Sequence, residues 1–191
     1  MWNAELYLDR LTTVVSMLDR AEIDRAISVI KDCWMANHSV ITLGNGGSAM
    51  TALHYVTDWS KSITHATGRP FRGRSLVDNT GVITAYSNDV SYQDVFVEQL
   101  KWAMNPGDLV IAISGSGNSE NVIRAVEYAN AKGNPTLGIS GYDGGILKNK
   151  AKYNVWVNCN DMQICEDIHL MFGHIAMKCL CVPIRNSISN G

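Results

Sequence analysis

Segment 41–58 joins a glycine-rich turn to a helix-like stretch that carries two side chains able to hold a metal ion. The turn glycines let the backbone approach a ligand closely, so that free N–H groups and a helix N-terminus can face an anion. The residues of this turn are Gly44, Asn45, Gly46, Gly47 and Ser48. Farther along, His54 and Asp58 are four residues apart, the spacing that places two side chains on one helix face. The pair could therefore share one divalent ion beside an anion site.

A second polar turn lies later in the chain. Residues 114–119 read Ser-Gly-Ser-Gly-Asn-Ser, and a helical pattern begins at Glu120. Hydroxyls, a carboxamide and glycines at a helix start suit a phosphate monoester, which carries three acceptor oxygens. The alternative is an ordinary turn in which Ser119 caps the helix. The G-x-x-x-x-G-K-S/T motif is absent, as is G-x-G-x-x-G after a strand with its acidic partner, which disfavours nucleotide hydrolysis and dinucleotide binding.

Three further candidates for metal binding or proton transfer lie near the C-terminus. Glu166 and His169 are three residues apart, a spacing that places two ligands on one helix face. Glu166 and His174 are eight residues apart, about 12 Å along a helix axis. One ion could join that pair only at full side-chain stretch, or if the two residues came from different subunits. Each of these residues has a structural alternative, as do His38 and His65. Carboxylate and imidazole ligands suit zinc or another first-row divalent ion.

The elements that must position these residues follow from hydrophobic periodicity. Apolar residues recur at three- and four-residue spacing over residues 6–35, which predicts one long helix or two helices broken near 19–22. Predicted strands are 40–43, 75–77, 109–113, 136–140 and 153–157, and predicted later helices are 48–60, 80–86, 92–104, 120–131 and 162–181. This alternation predicts an α/β fold with a parallel sheet covered on both faces. Ligands of such sheets bind beyond the carboxyl ends of the strands, where both polar turns lie.

Two segments are predicted to be irregular. Residues 62–74 contain glycine, proline and arginine without periodicity, which predicts a loop. Arg69, Arg72 and Arg74 make this loop basic, so it is either a solvated loop or a mobile flap over an anionic ligand. Residues 141–145 predict a glycine-rich turn between two strands.

Length and composition limit the class of protein. A chain of 191 residues fits a single domain, 1–191, with a sizeable core. The net charge of −2 and the absence of a basic block argue against nucleic acid as the main partner. No signal pattern or membrane-length apolar run is present, which predicts a cytoplasmic protein with no membrane partner. Five cysteines without a CxxC pair predict buried free thiols and no disulfide framework.

Taken together, the motifs resemble the sugar isomerase (SIS) domain family and, within it, the phosphoheptose isomerases. The resemblance runs nearly end to end. The matching motifs are Gly44-Asn45-Gly46-Gly47-Ser48-Ala49, His54 with an acid four residues later, Ser87-Asn88-Asp89, Ser114-x-Ser116-Gly117-Asn118-Ser119 and Glu166-x-x-His169-x-x-x-Gly173-His174. The resemblance implies a flavodoxin-like three-layer α/β/α domain. It also implies a homotetramer with active sites at the subunit interfaces. The N-terminal helices, about 1–36, are expected to form part of these interfaces.

The resemblance also implies roles for individual residues. The family binds the substrate phosphate in the serine turn, which here comprises Ser114, Gly115, Ser116 and Ser119. Its sugar contacts match Asn45, Gly46, Gly47, Asn88 and Asp89, and its zinc ligands match His54, Asp58, Glu166 and His174, of which Glu166 also borders the substrate. The proton-transfer pair of the family matches Asp58 and His174.

Three residues depart from the family pattern. Asp58 replaces the usual glutamate, Glu166 replaces the usual glutamine, and Gly115 replaces the usual threonine. The extra carboxylate should tighten metal binding and repel substrate oxyanions. The activity expected from the resemblance is isomerisation of sedoheptulose 7-phosphate to D-glycero-D-manno-heptose 7-phosphate through an enediol, for surface polysaccharide synthesis. The alternatives are an isomerase or epimerase of another sugar phosphate, or a non-catalytic tetramer that binds a replication initiator protein.

Overall fold

The computed structural model describes residues 3–182, in which α-helices alternate with five strands. The helices are α1 (Ala4–Ser16), α2 (Arg20–Met35), α3 (Gly46–Asp58), α4 (Thr64–Thr67), α5 (Thr80–Asp89), α6 (Val95–Ala103), α7 (Glu120–Ala131), α8 (Gly145–Lys150) and α9 (Met162–Leu180). The strands are β1 (Val40–Gly44), β2 (Gly73–Ser75), β3 (Leu109–Ser114), β4 (Thr136–Ser140) and β5 (Tyr153–Trp156). A π-helical turn, Trp59–Ile63, joins α3 to α4, and a 3₁₀ turn, Tyr92–Asp94, precedes α6.

The five strands form one parallel sheet in the order β2-β1-β3-β4-β5. The strand order reverses between β1 and β3, which are direct neighbours in the register Gly44 to Ile113. Their carboxyl ends therefore meet at one edge of the sheet. The glycine turn leaves β1 at this edge and the serine turn leaves β3 there. The position is the topological switch point at which open parallel sheets bind ligands.

Alternating residues of β3 separate the two faces of the sheet. Leu109, Ile111 and Ile113 pack in a core with α2, α3 and α9. Val110 and Ala112 pack on the opposite face with α6, α7 and α8. Both faces are buried because helices cover each of them, which is why the strand is a continuous apolar run. The predicted three-layer α/β/α fold is confirmed.

Helix α1 packs outside these layers, against the first turns of α9. Val14 belongs to a small separate cluster with Ile164, Cys165 and Ile168. The predicted break between the N-terminal helices is confirmed, since Asp19 caps α2 by accepting a hydrogen bond from the Glu22 N–H at 3.0 Å.

The segment predicted as a loop over 62–74 is partly regular, which corrects that prediction. The π-helical turn and α4 extend the helical path to Thr67 because Trp59 and Ile63 are fully buried. Beyond it, β2 pairs with β1 from Gly73 onwards. The predicted turn at 141–145 leads into the short helix α8, and α5 continues three residues past its predicted end. Helix α8 packs through the buried Leu147, a contact that periodicity does not report, whereas α5 has no buried residue and nothing in the structure explains its extension.

All five cysteines are free thiols, as predicted, but not all are buried. Cys33, Cys159 and Cys165 are buried, Cys181 is half-buried and Cys179 is exposed. The prediction of a buried thiol is therefore wrong for Cys179. Between residues 3 and 182, no helix has the length and apolar character needed to cross a membrane.

Candidate active site

His54, Asp58 and His174 form a compact group of metal-ligand atoms between α3 and α9. The Nε2 atoms of the two histidines are 3.0 Å apart. Asp58 Oδ2 lies 3.2 Å from His54 Nε2 and 3.6 Å from His174 Nε2. The predicted helical spacing of His54 and Asp58 is confirmed, and the fold adds His174 from a helix that begins more than a hundred residues later.

The spacing of these three atoms fits a tetrahedral metal site. For zinc bond lengths of about 2.0–2.2 Å, neighbouring ligand atoms of a tetrahedron lie about 3.3–3.6 Å apart. The separations of 3.0, 3.2 and 3.6 Å are close to that edge length. All three side chains are partly exposed, so a further position faces solvent or substrate. Three protein ligands with one open position are typical of catalytic zinc.

A buried aromatic contact holds α3 and α9 together beneath this group. The Tyr55 hydroxyl donates to the backbone carbonyl of His169, and Trp59 Nε1 donates to the carbonyl of Gly173 at 2.9 Å. The two rings stack with centroids 4.7 Å apart. Burial raises the pKa of Tyr55, which keeps its hydroxyl protonated as a donor. These contacts fix the separation of the helices and hence of His54 and His174.

The serine turn leaves its hydroxyls available to a ligand. Ser119 occupies the N-cap position of α7, but its side chain makes no capping hydrogen bond. Instead, its hydroxyl accepts from Ser114 Oγ at 3.2 Å. Gly117 adopts a φ of +67°, which lets the chain turn back toward the Ser114 carbonyl. The alternative prediction, that the Ser119 side chain caps α7, is therefore wrong.

A pocket of about 140 Å³ opens beside both polar turns. Its lining residues are Asn45, Ser48, Ile113, Ser114, Gly115, Ser116, Ser119, Met162 and Glu166. We call this the anion pocket. Helices α3 and α7 both begin at it without a side-chain cap. The shorter helices α4, α6 and α8 also lack one, whereas α1, α2, α5 and α9 are each capped by an asparagine or aspartate. The uncapped N–H groups and helix dipoles favour an anion there.

Asn45 is held in place by residues that the sequence did not single out. Its side chain exchanges hydrogen bonds with Asn121 at 2.8 and 3.0 Å, and its Oδ1 also accepts from the Tyr92 hydroxyl at 2.8 Å. Asn121 is buried in the first turn of α7. No local pattern marks either partner, because both contacts cross between distant elements. They fix the carboxamide of Asn45 at the rim of the anion pocket.

Met162 is a second lining residue without a sequence signal of its own. A Cβ added to Gly115 would collide with the Met162 sulfur. The methionine therefore fills the space that the family's usual threonine side chain would need. In the sequence, only the glycine at position 115 indicates this contact.

The structure does not bring every predicted site residue together. Glu166 is not in the group formed by His54, Asp58 and His174; its carboxylate lies against Gly47 at the start of α3. Asn88 and Asp89 lie exposed at the end of α5, where the Asn88 amide donates to Asp89 Oδ1 at 2.8 Å. Neither residue lines the anion pocket. Their roles in metal or sugar binding stay predictions, as does the contact of Gly46 with sugar.

His169 lies outside both the metal-ligand group and the anion pocket. His169 is 1% exposed, and neither ring nitrogen makes a well-aligned hydrogen bond within residues 3–182. Burial lowers the pKa of His169 to about 4, and a hydrogen bond with the Ser140 backbone partly offsets this shift.

The arginines of segment 62–74 contact the protein backbone. Arg69 donates to the Met35 carbonyl at 2.6 Å, and Arg74 donates to the Ala103 carbonyl at 3.3 Å. Two of the three arginines are thus engaged by backbone.

Comparison with known proteins agrees with this geometry. The SIS domain family matches residues 6–141. The chain belongs to the SIS domain family. This SIS domain is 31% identical to the phosphoheptose isomerase of Aliarcobacter butzleri over 187 residues, which cover 96% of each chain. It is 34% identical to the phosphoheptose isomerase of Citrifermentans bemidjiense over 153 residues, covering 80% of this chain and 79% of the relative.

A solved relative has the same fold. The structure of phosphoheptose isomerase from Neisseria gonorrhoeae superposes with a TM-score of 0.83 at 26% identity. The match covers 93% of this SIS domain and 95% of that chain.

Proposed function

We propose that this SIS domain is a metal-dependent phosphoheptose isomerase. It interconverts sedoheptulose 7-phosphate and D-glycero-D-manno-heptose 7-phosphate through an enediol, in the cytoplasm, for surface polysaccharide synthesis. The observation that carries the proposal is the arrangement of two sites along α3. The anion pocket lies at its N-terminal turn, and His54 and Asp58 lie in its last turns, facing His174.

The separation of the two sites matches the length of the substrate. Ser48, in the anion pocket, and His54 are six residues apart, about 9 Å along a helix axis. An extended chain of three backbone bonds spans about 3.4 Å, so eight bonds from C1 of an open heptose to its phosphorus span about 9 Å. With its phosphate in the anion pocket, the substrate places C1 and C2 beside His54, Asp58 and His174, which we call the metal group.

Residues of this chain supply the proton transfer. Asp58 or His174 removes a proton from C1 of the ketose and the other group protonates C2, because positioned bases and acids perform such steps. The hydroxyl proton of O1 moves to O2, which leaves the aldehyde at C1, and exchange with solvent returns Asp58 and His174 to their starting protonation. Asp58 and His174 lie side by side, with 3.6 Å between Oδ2 and Nε2, so both side chains border the C1–C2 end of the substrate. His54, Asp58 and His174 would hold the metal. Glu166, the further ligand that the family resemblance predicts, lies against Gly47 and outside this group. A bound zinc ion would polarise the carbonyl and stabilise enediolate charge.

The serine turn positions the substrate without reacting. Hydroxyls of Ser114, Ser116 and Ser119, with the N–H groups of α7, bind the phosphate away from C1. Binding energy from this remote group holds C1 and C2 in reacting geometry. Asn45, fixed by Asn121 and Tyr92, contacts the sugar between the two sites.

A turnover assay tests the proposal. The purified protein, supplied with zinc, is given sedoheptulose 7-phosphate and matched five- and six-carbon ketose phosphates, and aldose products are separated by mass and chromatography. We expect the highest turnover with the seven-carbon substrate. Higher turnover with another ketose would overturn the substrate assignment, and no aldose from any of them would overturn the activity.

The proposal includes a homotetramer. Leu6, Leu8 and Met17 of α1 are apolar side chains that are 48%, 58% and 64% exposed in the single chain. Burial of such side chains favours association through this helix. Light scattering should give four times the chain mass, and a monomer would contradict this part of the proposal.

A further inference from the structure

Asn45 occupies the N-cap position of α3, but in the described part of the chain its side chain makes no capping hydrogen bond. Asparagine is among the residue types most favoured at this position, because its side-chain oxygen can accept from a backbone N–H of the first turn. Asn3 and Asn79, the N-cap residues of α1 and α5, do cap their helices, at 2.8 and 3.1 Å. Contacts with other elements must therefore keep Asn45 from capping α3.

Two donors occupy the Asn45 oxygen that would otherwise cap α3. The carboxamides of Asn45 and Asn121 form a reciprocal pair, in which Asn45 Nδ2 donates to Asn121 Oδ1 at 2.8 Å and Asn121 Nδ2 donates to Asn45 Oδ1 at 3.0 Å. The Tyr92 hydroxyl donates to the same Asn45 oxygen at 2.8 Å. Because an amide oxygen has two lone pairs, both are engaged by these donors and not by the first turn of α3.

A backbone N–H determines which way round the carboxamide pair lies. The N–H of Val122, in the first turn of α7, donates to Asn121 Oδ1 at 3.0 Å. Since a backbone N–H can only donate, the oxygen of the Asn121 side chain and not its nitrogen must face it. The Asn45 carboxamide must then present its nitrogen to Asn121 Oδ1 and its oxygen to Asn121 Nδ2. The backbone of α7 thus fixes the orientation of Asn45 through Asn121.

The orientation of Asn45 makes it a hydrogen-bond donor to a ligand. Its nitrogen carries two N–H groups, of which Asn121 accepts one. Because its oxygen is engaged, Asn45 can only donate at the anion pocket, which it lines together with Ser114 and Ser119. The oxygens of a sugar phosphate accept hydrogen bonds, so they match both the second N–H of Asn45 and the uncapped N–H groups of α3.

The 3₁₀ turn that carries Tyr92 is also anchored to α7. Arg124, on α7, donates from Nη1 to Asp94 Oδ1 at 2.8 Å. The Ser91 hydroxyl, just before the turn, donates to Asp94 Oδ2 at 2.7 Å. Helix α7, which begins at the anion pocket, therefore positions both donors to Asn45 Oδ1.

We propose that Asn121 and Tyr92 are positioning residues of the anion pocket. They hold the Asn45 side chain away from the first turn of α3, which keeps the N–H groups of that turn free for the ligand. They also leave Asn45 with one N–H to donate to the same ligand. Both residues act through Asn45. The inference rests on the proposed function, which assigns the phosphate of a sugar phosphate to this pocket.

A double-mutant cycle separates this positioning role from a merely structural one. The probe is the heptitol 7-phosphate made by borohydride reduction of sedoheptulose 7-phosphate, which keeps the phosphate and hydroxyls but has no carbonyl and cannot isomerise. Dissociation constants are measured by NMR from the backbone amide signals of the serine turn, in the full-length protein at equal zinc content. The cycle comprises the unmodified protein, Asn45→Ala, Asn121→Ala and the variant with both substitutions.

Two further substitutions complete the design. Tyr92→Phe enters the same cycle in place of Asn121→Ala; Tyr92 is 49% exposed, so loss of its hydroxyl leaves the packing intact. Asn134→Ala is the matched control for a buried asparagine. Asn134 is 2% exposed, donates to the carbonyls of Asn105 and Asp108 at 2.8 Å each, and does not line the anion pocket.

Asn45→Ala and Asn121→Ala should each weaken binding at least about tenfold, as expected for a lost hydrogen bond to a charged group, and Tyr92→Phe about threefold. In the Asn45→Ala background, Asn121→Ala and Tyr92→Phe should change binding by less than about twofold, because both act through Asn45. Asn134→Ala should lower the free energy of unfolding and leave binding unchanged.

Weakening by Asn121→Ala that is equal with and without Asn45 would overturn the inference and leave the proposed function intact. Unchanged binding in Asn121→Ala and Tyr92→Phe, or equal weakening in Asn134→Ala, would do the same. Where Asn121→Ala does not fold, Tyr92→Phe decides by the same comparison. Failure of the unmodified protein to bind the heptitol phosphate would overturn the phosphate assignment itself, independently of the turnover assay.

Discussion

The Nε2 atoms of His54 and His174 lie 3.0 Å apart although 120 residues separate them in the chain. At this distance the lone pairs of two unprotonated Nε2 atoms repel each other, unless one of the nitrogens carries the proton and donates it to the other. A divalent ion between them removes the repulsion by accepting both lone pairs. Asp58 Oδ2, at 3.2 and 3.6 Å from the two nitrogens, supplies a negative charge at the same point. These three ligand atoms form a group able to hold a metal ion.

Replacing His174 by alanine should weaken zinc binding at least about tenfold, because loss of one of three protein ligands removes a direct bond to the ion. Zinc content after dialysis against a competing chelator, measured by atomic emission, gives the affinity. His65→Ala is the matched control, since His65 is exposed on α4 and outside the metal group. Equal zinc retention in the two variants would refute the ligand role of His174.

Gly173→Ala should damage both stability and metal binding. A Cβ at this position would collide with the buried Tyr55 ring, which packs between α3 and α9. Overpacking of this kind costs about 1–3 kcal/mol of unfolding free energy, and the displaced helices would separate His54 from His174. Denaturant unfolding and zinc titration measure the two effects. Gly81→Ala should cost less and leave zinc binding unchanged, because the one contact of its added Cβ is the Asn79 side-chain oxygen at 3.2 Å, which can shift.

Ser119→Ala should weaken substrate binding without destabilising the protein. The Ser119 side chain makes no capping bond, so its loss removes a phosphate donor and leaves α7 intact. KM for the sugar phosphate should rise at least about tenfold, as expected for one lost hydrogen bond to a charged group. Asp161→Ala gives the opposite pattern, because the Asp161 carboxylate caps α9 through the Ile164 N–H and its loss costs about 1 kcal/mol. A stability loss in Ser119→Ala as large as in Asp161→Ala would contradict this prediction.

These outcomes separate what the sequence could predict from what it could not. The spacing of His54 and Asp58, the serine turn at a strand end and the alternation of strands and helices are local patterns, and each was predicted correctly. The contact of Glu166 with Gly47 was not predicted, because it depends on α3 and α9 lying side by side. Glu166 then faces Gly47 in the first turn of α3, and His174 faces His54 almost two turns later.

The missed residues share a physical cause. Tyr92 reaches Asn45 across 47 positions, and Asn121 reaches it across 76. The helical extension past Asp58 exists because Trp59 and Ile63 are buried by neighbouring elements. Such contacts are set by tertiary packing, which overrides the loop signal of the two glycines and the proline nearby. Only the unusual Gly115 hinted at its contact with Met162.

His169 should make stability fall in acid. Its folded-state pKa of about 4 lies below the ordinary 6.5, so the unfolded chain takes up a proton first as pH falls. The contribution is fully present above pH 6.5 and is lost between 6.5 and 4, on the order of 3 kcal/mol in all. Urea unfolding at pH 7 and pH 5 measures it. His169→Leu should lose less stability between these two pH values than the unmodified protein, and an identical loss would contradict the assignment.

The most direct test of the account is conversion of sedoheptulose 7-phosphate by three proteins loaded with zinc to the same level: the unmodified chain, Asp58→Asn and Asp78→Asn. Asp78 lies outside both the metal group and the anion pocket, which makes its variant the matched control. NMR of the reaction follows the aldose heptose 7-phosphate directly. The account predicts product from the unmodified chain and from Asp78→Asn, with a rate at least about a hundredfold lower for Asp58→Asn, as is typical when a positioned base is lost. Equal rates in all three proteins, or no product from the unmodified chain, would contradict it.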